Sequence, residues 1–145
     1  MLVDSIRVLT SARLMVIDNG ATLRTAACAL SSRHIGLIVV CDKNQKAIGV
    51  VTKSDIIRHL TSVGLTEASI VTLMSRDITS CHPDDDLYVT WQKMTAQGRQ
   101  NIPVLSTGSV PLGVLDIRDA LKTLLQQEEY QEQLLLNYVA GVGYQ

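Results

Sequence analysis

Gly49-Val50-Val51-Thr52-Lys53-Ser54-Asp55 returns 64 residues later as Gly113-Val114-Leu115-Asp116-Ile117-Arg118-Asp119. The return extends well beyond this stretch. Residues 14–60 lie over residues 78–124 at the same offset without a gap. Seven positions are identical: Leu23/Leu87, Ile38/Ile102, Val40/Val104, Gly49/Gly113, Val50/Val114, Asp55/Asp119 and Leu60/Leu124. Apolar character also survives the shift at Leu14/Ile78, Leu30/Met94, Ile48/Leu112 and Val51/Leu115. A pattern that holds at one fixed period marks a chain built twice from one unit.

Each copy reads as β-α-β-β-α. A strand (Leu14–Ile17; Ile78–Ser80) leads through a turn into a helix (Ala21–Arg33; Asp85–Gln97). Leu23, Ala26, Ala27 and Leu30 share one face of the first helix, and Leu87, Trp91 and Met94 one face of the second. A buried strand follows (Leu37–Cys41; Ile102–Leu105), then a polar turn (Asp42–Lys46; Ser106–Ser109), then another strand (Ala47–Val51; Pro111–Leu115). Two strands joined so closely make a hairpin. Thr52 and Asp116 each open a last helix. One such unit cannot cover both faces of its sheet, whereas two packed sheet to sheet about a pseudo-twofold axis can. The predicted fold is therefore α/β (α+β). Its expected parts are a repeat at 3–62, a repeat at 66–126, and a C-terminal helical extension with a tail at 127–145. The connector Thr66–Met74 reads as a short helix, and Val3–Leu9 is a matching piece ahead of the first unit.

Composition narrows the function. Apolar residues make up 46% of the 145, enough to bury a core. Thirteen basic residues against 14 acidic ones leave a net charge of −1, which argues against a nucleic-acid partner. With no Phe, the core must come from aliphatic residues and Met. Cys28, Cys41 and Cys81 are too far apart for a C-x-x-C site, and His34, His59 and His82 have no second ligand cluster, so no metal is expected. The cysteines fit a reducing cytoplasm, as small buried hydrophobes. No apolar run approaches the roughly 18 residues of a membrane-spanning helix. The start, Met-Leu-Val-Asp-Ser-Ile-Arg, lacks the basic-then-apolar order of a signal peptide, so a cytoplasmic location is expected. Asp84-Asp85-Asp86 after Pro83 reads as the acidic first turn of a helix. No nucleophile has a companion base, so no catalytic residue is expected and the chain does not read as an enzyme.

The second copy carries Leu73-Met74-Ser75-Arg76-Asp77, His82-Pro83-Asp84, Ile102-Pro103-Val104 and Gly113 to Asp119. This order, met twice at this spacing, resembles the CBS domain, named from cystathionine β-synthase. The two copies together resemble a CBS pair, or Bateman module, in a stand-alone protein. The resemblance implies regulation rather than catalysis. It implies an adenosyl ligand such as AMP, ADP, ATP or S-adenosylmethionine in clefts between the repeats, with no cofactor required. It also implies a homodimer, and an unknown protein partner that the module regulates.

The strand end at Thr52 has its own chemistry. Helix N-termini offer free N–H groups and about half a positive charge, which suits phosphate. The Thr52 hydroxyl is placed to donate to a phosphate oxygen, and Asp55 to accept from ribose hydroxyls. Gly49 would keep the strand uncluttered beside the ligand. The same Thr-x-x-Asp is also a capping box that any helix here would use, and both roles can hold together. In the second copy Asp116 stands where the family carries Thr or Ser. It caps equally well but repels phosphate, unless Arg118 turns onto it. Asp119 is expected to take ribose. Arg33, His34 and Arg99 lie near the second strands but out of register, so the phosphate grip is thin. An adenine pocket is expected from Ile17, Ile38, Ser80, Ile102 and Pro103, all of which also read as ordinary core. The alternative is a dimeric interaction scaffold whose ligand clefts have decayed. The last helix runs on through Leu134, Leu135 and Tyr138 past a polar middle, and its apolar end favours a dimer contact.

Overall fold

The computed structural model describes residues 1–62 and 67–143. Thr66, at the start of the expected connector and second repeat, and the last two residues of the expected tail lie outside the described residues. The elements in order are a 3-10 turn (Val3–Ile6), α1 (Arg7–Ala12), β1 (Val16–Asp18), α2 (Leu23–Leu30), β2 (Leu37–Cys41), β3 (Ala47–Thr52), α3 (Lys53–Ser62), α4 (Ile70–Leu73), α5 (Leu87–Gln97), β4 (Asn101–Leu105), β5 (Pro111–Asp116) and α6 (Ile117–Gly143).

The two hairpins are the same object shifted by 64. Val40 pairs with Gly49 in one and Val104 with Gly113 in the other, and each ladder slips at the following residue. Side chains alternate along β2. Ile38 and Val40 point into a core with Leu23, Ala26, Leu30 and Val51. Leu37, Val39 and Cys41 point the other way, onto Val50 and Val114, with Leu14, Ala47 and Ile78 at the edge. That second cluster joins the repeats, so β2 is buried at all five positions.

The first sheet has three strands, β1-β2-β3, but the second has only β4-β5. The strand expected at Ile78–Ser80 is reduced to one parallel bridge, Cys81 to Val104. That bridge matches the first repeat's Ile17 to Val40 pair. The cause is Pro103. Its counterpart Val39 donates its N–H to the Met15 carbonyl at 3.0 Å, and proline has no N–H to give. The helix expected over Ala21–Arg33 is shorter, Leu23–Leu30, capped by the Thr22 hydroxyl. In the second repeat Asp86 caps α5, and Gly98, at φ 66°, closes it in the left-handed conformation.

The two leading segments are exchanged. The N-terminal turn docks on the second repeat, where the Val3 N–H donates to the Asp85 carbonyl at 2.9 Å and the Leu87 N–H to the Met1 carbonyl at 2.8 Å. Val3 and Ile6 thereby join Leu87, Met94, Ile102 and Leu115 in the second core. The connector docks on the first repeat, where the Ile70 N–H donates to the Ala21 carbonyl at 2.9 Å. Ile70 and Met74 complete the first core.

Gly49 and Gly113 make this exchange fit. A Cβ on Gly113 would stand 2.8 Å from the Thr10 carbonyl carbon, and one on Gly49 would stand 2.8 Å from Met74 Cγ and 3.0 Å from the Ser75 oxygen. Gly49 thus faces the docked connector rather than a ligand. Gly113→Ala is expected to destabilise the chain by about 1–3 kcal/mol, the usual cost of overpacking. Gly49→Ala should cost less, because part of its obstacle is a flexible Met side chain. Urea unfolding of both variants measures this; a Gly113→Ala variant as stable as the parent would refute the close-approach account.

Candidate ligand-binding clefts

Both motif copies stand where a hairpin's second strand hands over to a helix. At the first, the Thr52 N–H donates to Asp55 Oδ2 at 2.9 Å and the Asp55 N–H donates to Thr52 Oγ at 3.3 Å. This reciprocal pair is a capping box. It leaves the Thr52 O–H able to donate elsewhere. It also leaves Asp55 with unused acceptor capacity, since a carboxylate accepts about four bonds. Arg58, one turn on, has Nη1 3.6 Å from Asp55 Oδ1, and its side chain is 76% exposed.

The second copy is built differently. The Asp116 side chain is only 2% exposed. The Arg118 backbone N–H donates to Asp116 Oδ1 at 2.8 Å, while its Nε and Nη2 donate to Oδ1 and Oδ2 at 3.0 and 2.9 Å. Arg118 therefore does turn onto Asp116. Asp119 does not reach back to close a capping box. Its two oxygens instead accept from Arg13, Nε at 2.5 Å and Nη2 at 3.1 Å. Arg13 Nη1 donates to the His34 carbonyl at 3.1 Å and lies 3.6 Å from Asp116 Oδ2.

Sequence reasoning missed Arg13. It lies 106 residues from Asp119, and nothing local pairs the two. The only available signal was its place just before the first strand, in register with Asp77 of the second copy.

The expected adenine residues divide. Ile17 and Ile38 pack inside the first repeat's core, and Ile102 in the second's. Pro103 is buried on β4 and Ser80 is exposed. Ser80 and Ile102 come together on a cavity of about 150 Å³, walled also by Thr79, Thr90, Lys93 and Gln97. The structure therefore joins two of the five and holds Ile17 and Ile38 in a separate cluster. Asn101, at a place where ligand-binding relatives often carry Arg or His, lies between the motifs. It pairs with Asp116 across the second hairpin. Its side chain also stands against Gly36, where a Cβ would meet Nδ2 at 2.5 Å. Gly36 precedes Leu37, the partner of Thr52. The Asn101 Oδ1 is buried with no hydrogen-bond partner. An acceptor left in that state is costly, and it offers a place to a donor on a ligand.

Cys41 and Cys81 are buried and Cys28 is exposed. Burial, with the Asp85 charge adding to it, pushes the Cys81 thiol up to about 12, which makes it inert. Among the described residues no group of His, Cys, Asp and Glu is arranged to hold a metal ion. In the same residues no helix is long and apolar enough to cross a membrane.

Burial pushes the Asp116 carboxyl up. The Arg118 side-chain and backbone hydrogen bonds, with the Arg13 charge, outweigh it and hold the group below its ordinary value of 3.8. A carboxyl lowered on folding contributes stability that is present above 3.8 and lost as pH falls through its folded value. Asp116→Asn should therefore cost about 1–3 kcal/mol at neutral pH. The gap to the parent should shrink steadily below pH 3.8. Unfolding titrations between neutral and strongly acidic pH measure it; a gap independent of pH would show that the ionised carboxylate is not what stabilises.

Comparisons with known proteins agree with this architecture. The family model for the CBS domain matches twice, over residues 5–62 and 69–126. The chain is 21% identical over 135 residues to an uncharacterized 17.7 kDa protein of Acidianus ambivalens, covering 93% of this chain and 82% of that one. It is 24% identical over 107 residues to homoserine O-acetyltransferase of Methanococcoides burtonii, covering 74% of this chain but only 21% of the relative. Among solved structures, the CBS domain pair of protein MJ0100, in complex with 5′-methylthioadenosine and S-adenosyl-L-methionine, superposes with a TM-score of 0.74 at 20% identity, covering 88% of this chain and 98% of that one. A CBS domain protein from Pyrobaculum aerophilum complexed with AMP gives 0.71 at 21% identity, covering 82% and 89%. Two repeats in register, two matched hairpins and two family matches make this chain a tandem pair of CBS domains, and it belongs to that family.

Proposed function

We propose that the chain is a regulatory module that binds an adenine nucleotide in the cleft at Thr52 and Asp55. The observation that carries this reading is the state of that pair. Its hydroxyl and carboxylate satisfy the helix start and still have bonds to give, at a helix N-terminus that favours an anion. Thr52 donates to the phosphate, Asp55 accepts from the ribose, and Arg58 is an exposed counter-charge within reach. The orphaned Asn101 acceptor lies beside the same strand end and suits the amino group of adenine. Related folds that hold AMP, or methylthioadenosine and S-adenosylmethionine, support the ligand class.

Binding in this cleft favours one arrangement of the two repeats over others. It thereby alters what the module does to a partner or to its own dimer. The dimer reading rests on α6. Leu134, Leu135, Leu136, Tyr138 and Val139 are all exposed near its end, and no described residue of the same chain covers them. The scaffold reading draws on the second motif, whose carboxylates are already taken.

Asp55→Asn keeps a side-chain acceptor and is expected to cost only about 0.3–1 kcal/mol in stability, as a first-turn charge. Its cost in AMP affinity should be larger, roughly 10- to 150-fold, because a hydrogen bond to a charged group is lost. Asp119→Asn should leave AMP affinity close to that of the parent. Calorimetric titration decides; unchanged binding in both variants would return Asp55 to a pure cap. If the parent binds no adenosyl compound at millimolar concentration, the scaffold reading takes over.

Sedimentation should give twice the 15.8 kDa chain mass at micromolar concentration. Truncation after Gln126 should shift the population towards monomer. A truncated chain that still dimerises as tightly would place the contact elsewhere.

A further inference from the structure

The carboxylates of the second motif hold a side chain of their own protein. The Arg13 guanidinium spans both oxygens of Asp119, reaches Asp116 and the His34 carbonyl, and is itself only 17% exposed. It thus bridges the segment ahead of β1, the loop ahead of β2 and the start of α6. We infer that Arg13 is the internal occupant of the second cleft, so that the chain takes one adenosyl ligand and not two.

The chemistry is one of occupied acceptors. A ribose is recognised when a carboxylate accepts from its two adjacent hydroxyls. Asp119 presents both oxygens to a planar, bidentate donor with matching geometry. A diol offers weaker neutral donors and would have to evict a permanent cation that is already desolvated. The phosphate side is unfavourable as well. Asp116 carries a buried negative charge, and Arg118 already gives its backbone N–H, Nε and Nη2 to it.

Among the described residues, no side chain spans Asp55 in this way. The position in register with Arg13 is Asp77, which cannot donate to a carboxylate while ionised. Among the described residues, Asp55 has the exposed Arg58 as its paired counter-charge. Arg13 is thus a third difference between the two motif copies, beside Asp116 in place of Thr52 and Arg118 in place of Ser54. The inference rests on the ligand class proposed above, and the following test separates the two.

The probe is 5′-methylthioadenosine, which has no phosphate, so that repulsion from Asp116 cannot decide the result. The parent should bind one equivalent per chain, and Arg13→Gln two. Two equivalents in the parent, or one in a parent and a folded Arg13→Gln alike, would overturn the occupancy of the cleft by Arg13. No binding in the parent with one equivalent in Arg13→Gln would uphold it and defeat the Thr52 cleft instead. No binding to either overturns both. A second measurement needs no variant. The Arg13 Nε–H proton should resolve in the NMR spectrum and exchange with water at least tenfold more slowly than that of the exposed Arg7. Exchange at the Arg7 rate would overturn the inference even if Arg13→Gln fails to fold.

Discussion

A strand buried on both faces is the constraint on which the molecule depends. β2 has Leu37, Val39 and Cys41 on one side and Ile38 and Val40 on the other, and no position reaches solvent. Helices supply one cover. The other has to be a second sheet, because one repeat has no further layer to offer. The hairpin of the second repeat provides it through Val114, while Ala47 donates its N–H across the joint to the Ser109 carbonyl at 2.9 Å. Neither repeat is complete alone, and the exchange of leading segments makes the dependence mutual. Each core contains apolar side chains from the segment that introduces the other repeat.

Sheet-to-sheet packing also sets where chemistry can occur. Strand ends emerge at the rim of the joint, and each second strand there turns into a helix. Thr52 and Asp116 are those turning points. Both lie beside the place where Gly36 meets Asn101, which brings the two motifs to a common region although 64 residues separate them. Gly36 lets the Asn101 amide lie against the backbone at that crossing, where a Cβ would force it to move. The fold thus delivers two helix starts to one seam. What each does is left to the residues carried there.

The hairpins, the helices and the doubled architecture were legible because they follow from local periodicity repeated at a fixed offset. Strand pairing that depends on a particular donor was not. The missing Pro103 N–H, the counterpart of the Val39 donor, accounts for the failure of Ile78–Ser80 to form a strand where β1 does. Likewise the capping box of Thr52 and Asp55 spans three residues and could be read directly, as could the pairing of Asp116 with Arg118 two residues on. The bond from Arg13 to Asp119 spans 106 residues and joins unlike segments. Nothing in local spacing encodes it. The adenine residues illustrate the same limit. Apolar positions on neighbouring strands are predicted well as buried, but whether they share a wall depends on which face each strand presents.

At Asp55 and Asp119 the two motif copies balance charge in opposite ways, and the difference is one of solvent access. In the first, Asp55 is countered by Arg58, a pair that is 76% exposed on the cationic side and 3.6 Å apart. Such a contact is worth about 0–1 kcal/mol, so a ligand can redirect it at small cost. In the second, Asp116 is held by an Arg118 that is itself 74% exposed, but Asp119 is countered by an Arg13 that is only 17% exposed. Removing a partner from a largely desolvated pair leaves an uncompensated charge and costs several kcal/mol. An incoming nucleoside would have to supply that amount before gaining any affinity of its own. The same sequence repeat therefore yields one start of a helix that is stable yet still open to a partner, and one that is stable because its partner is already present.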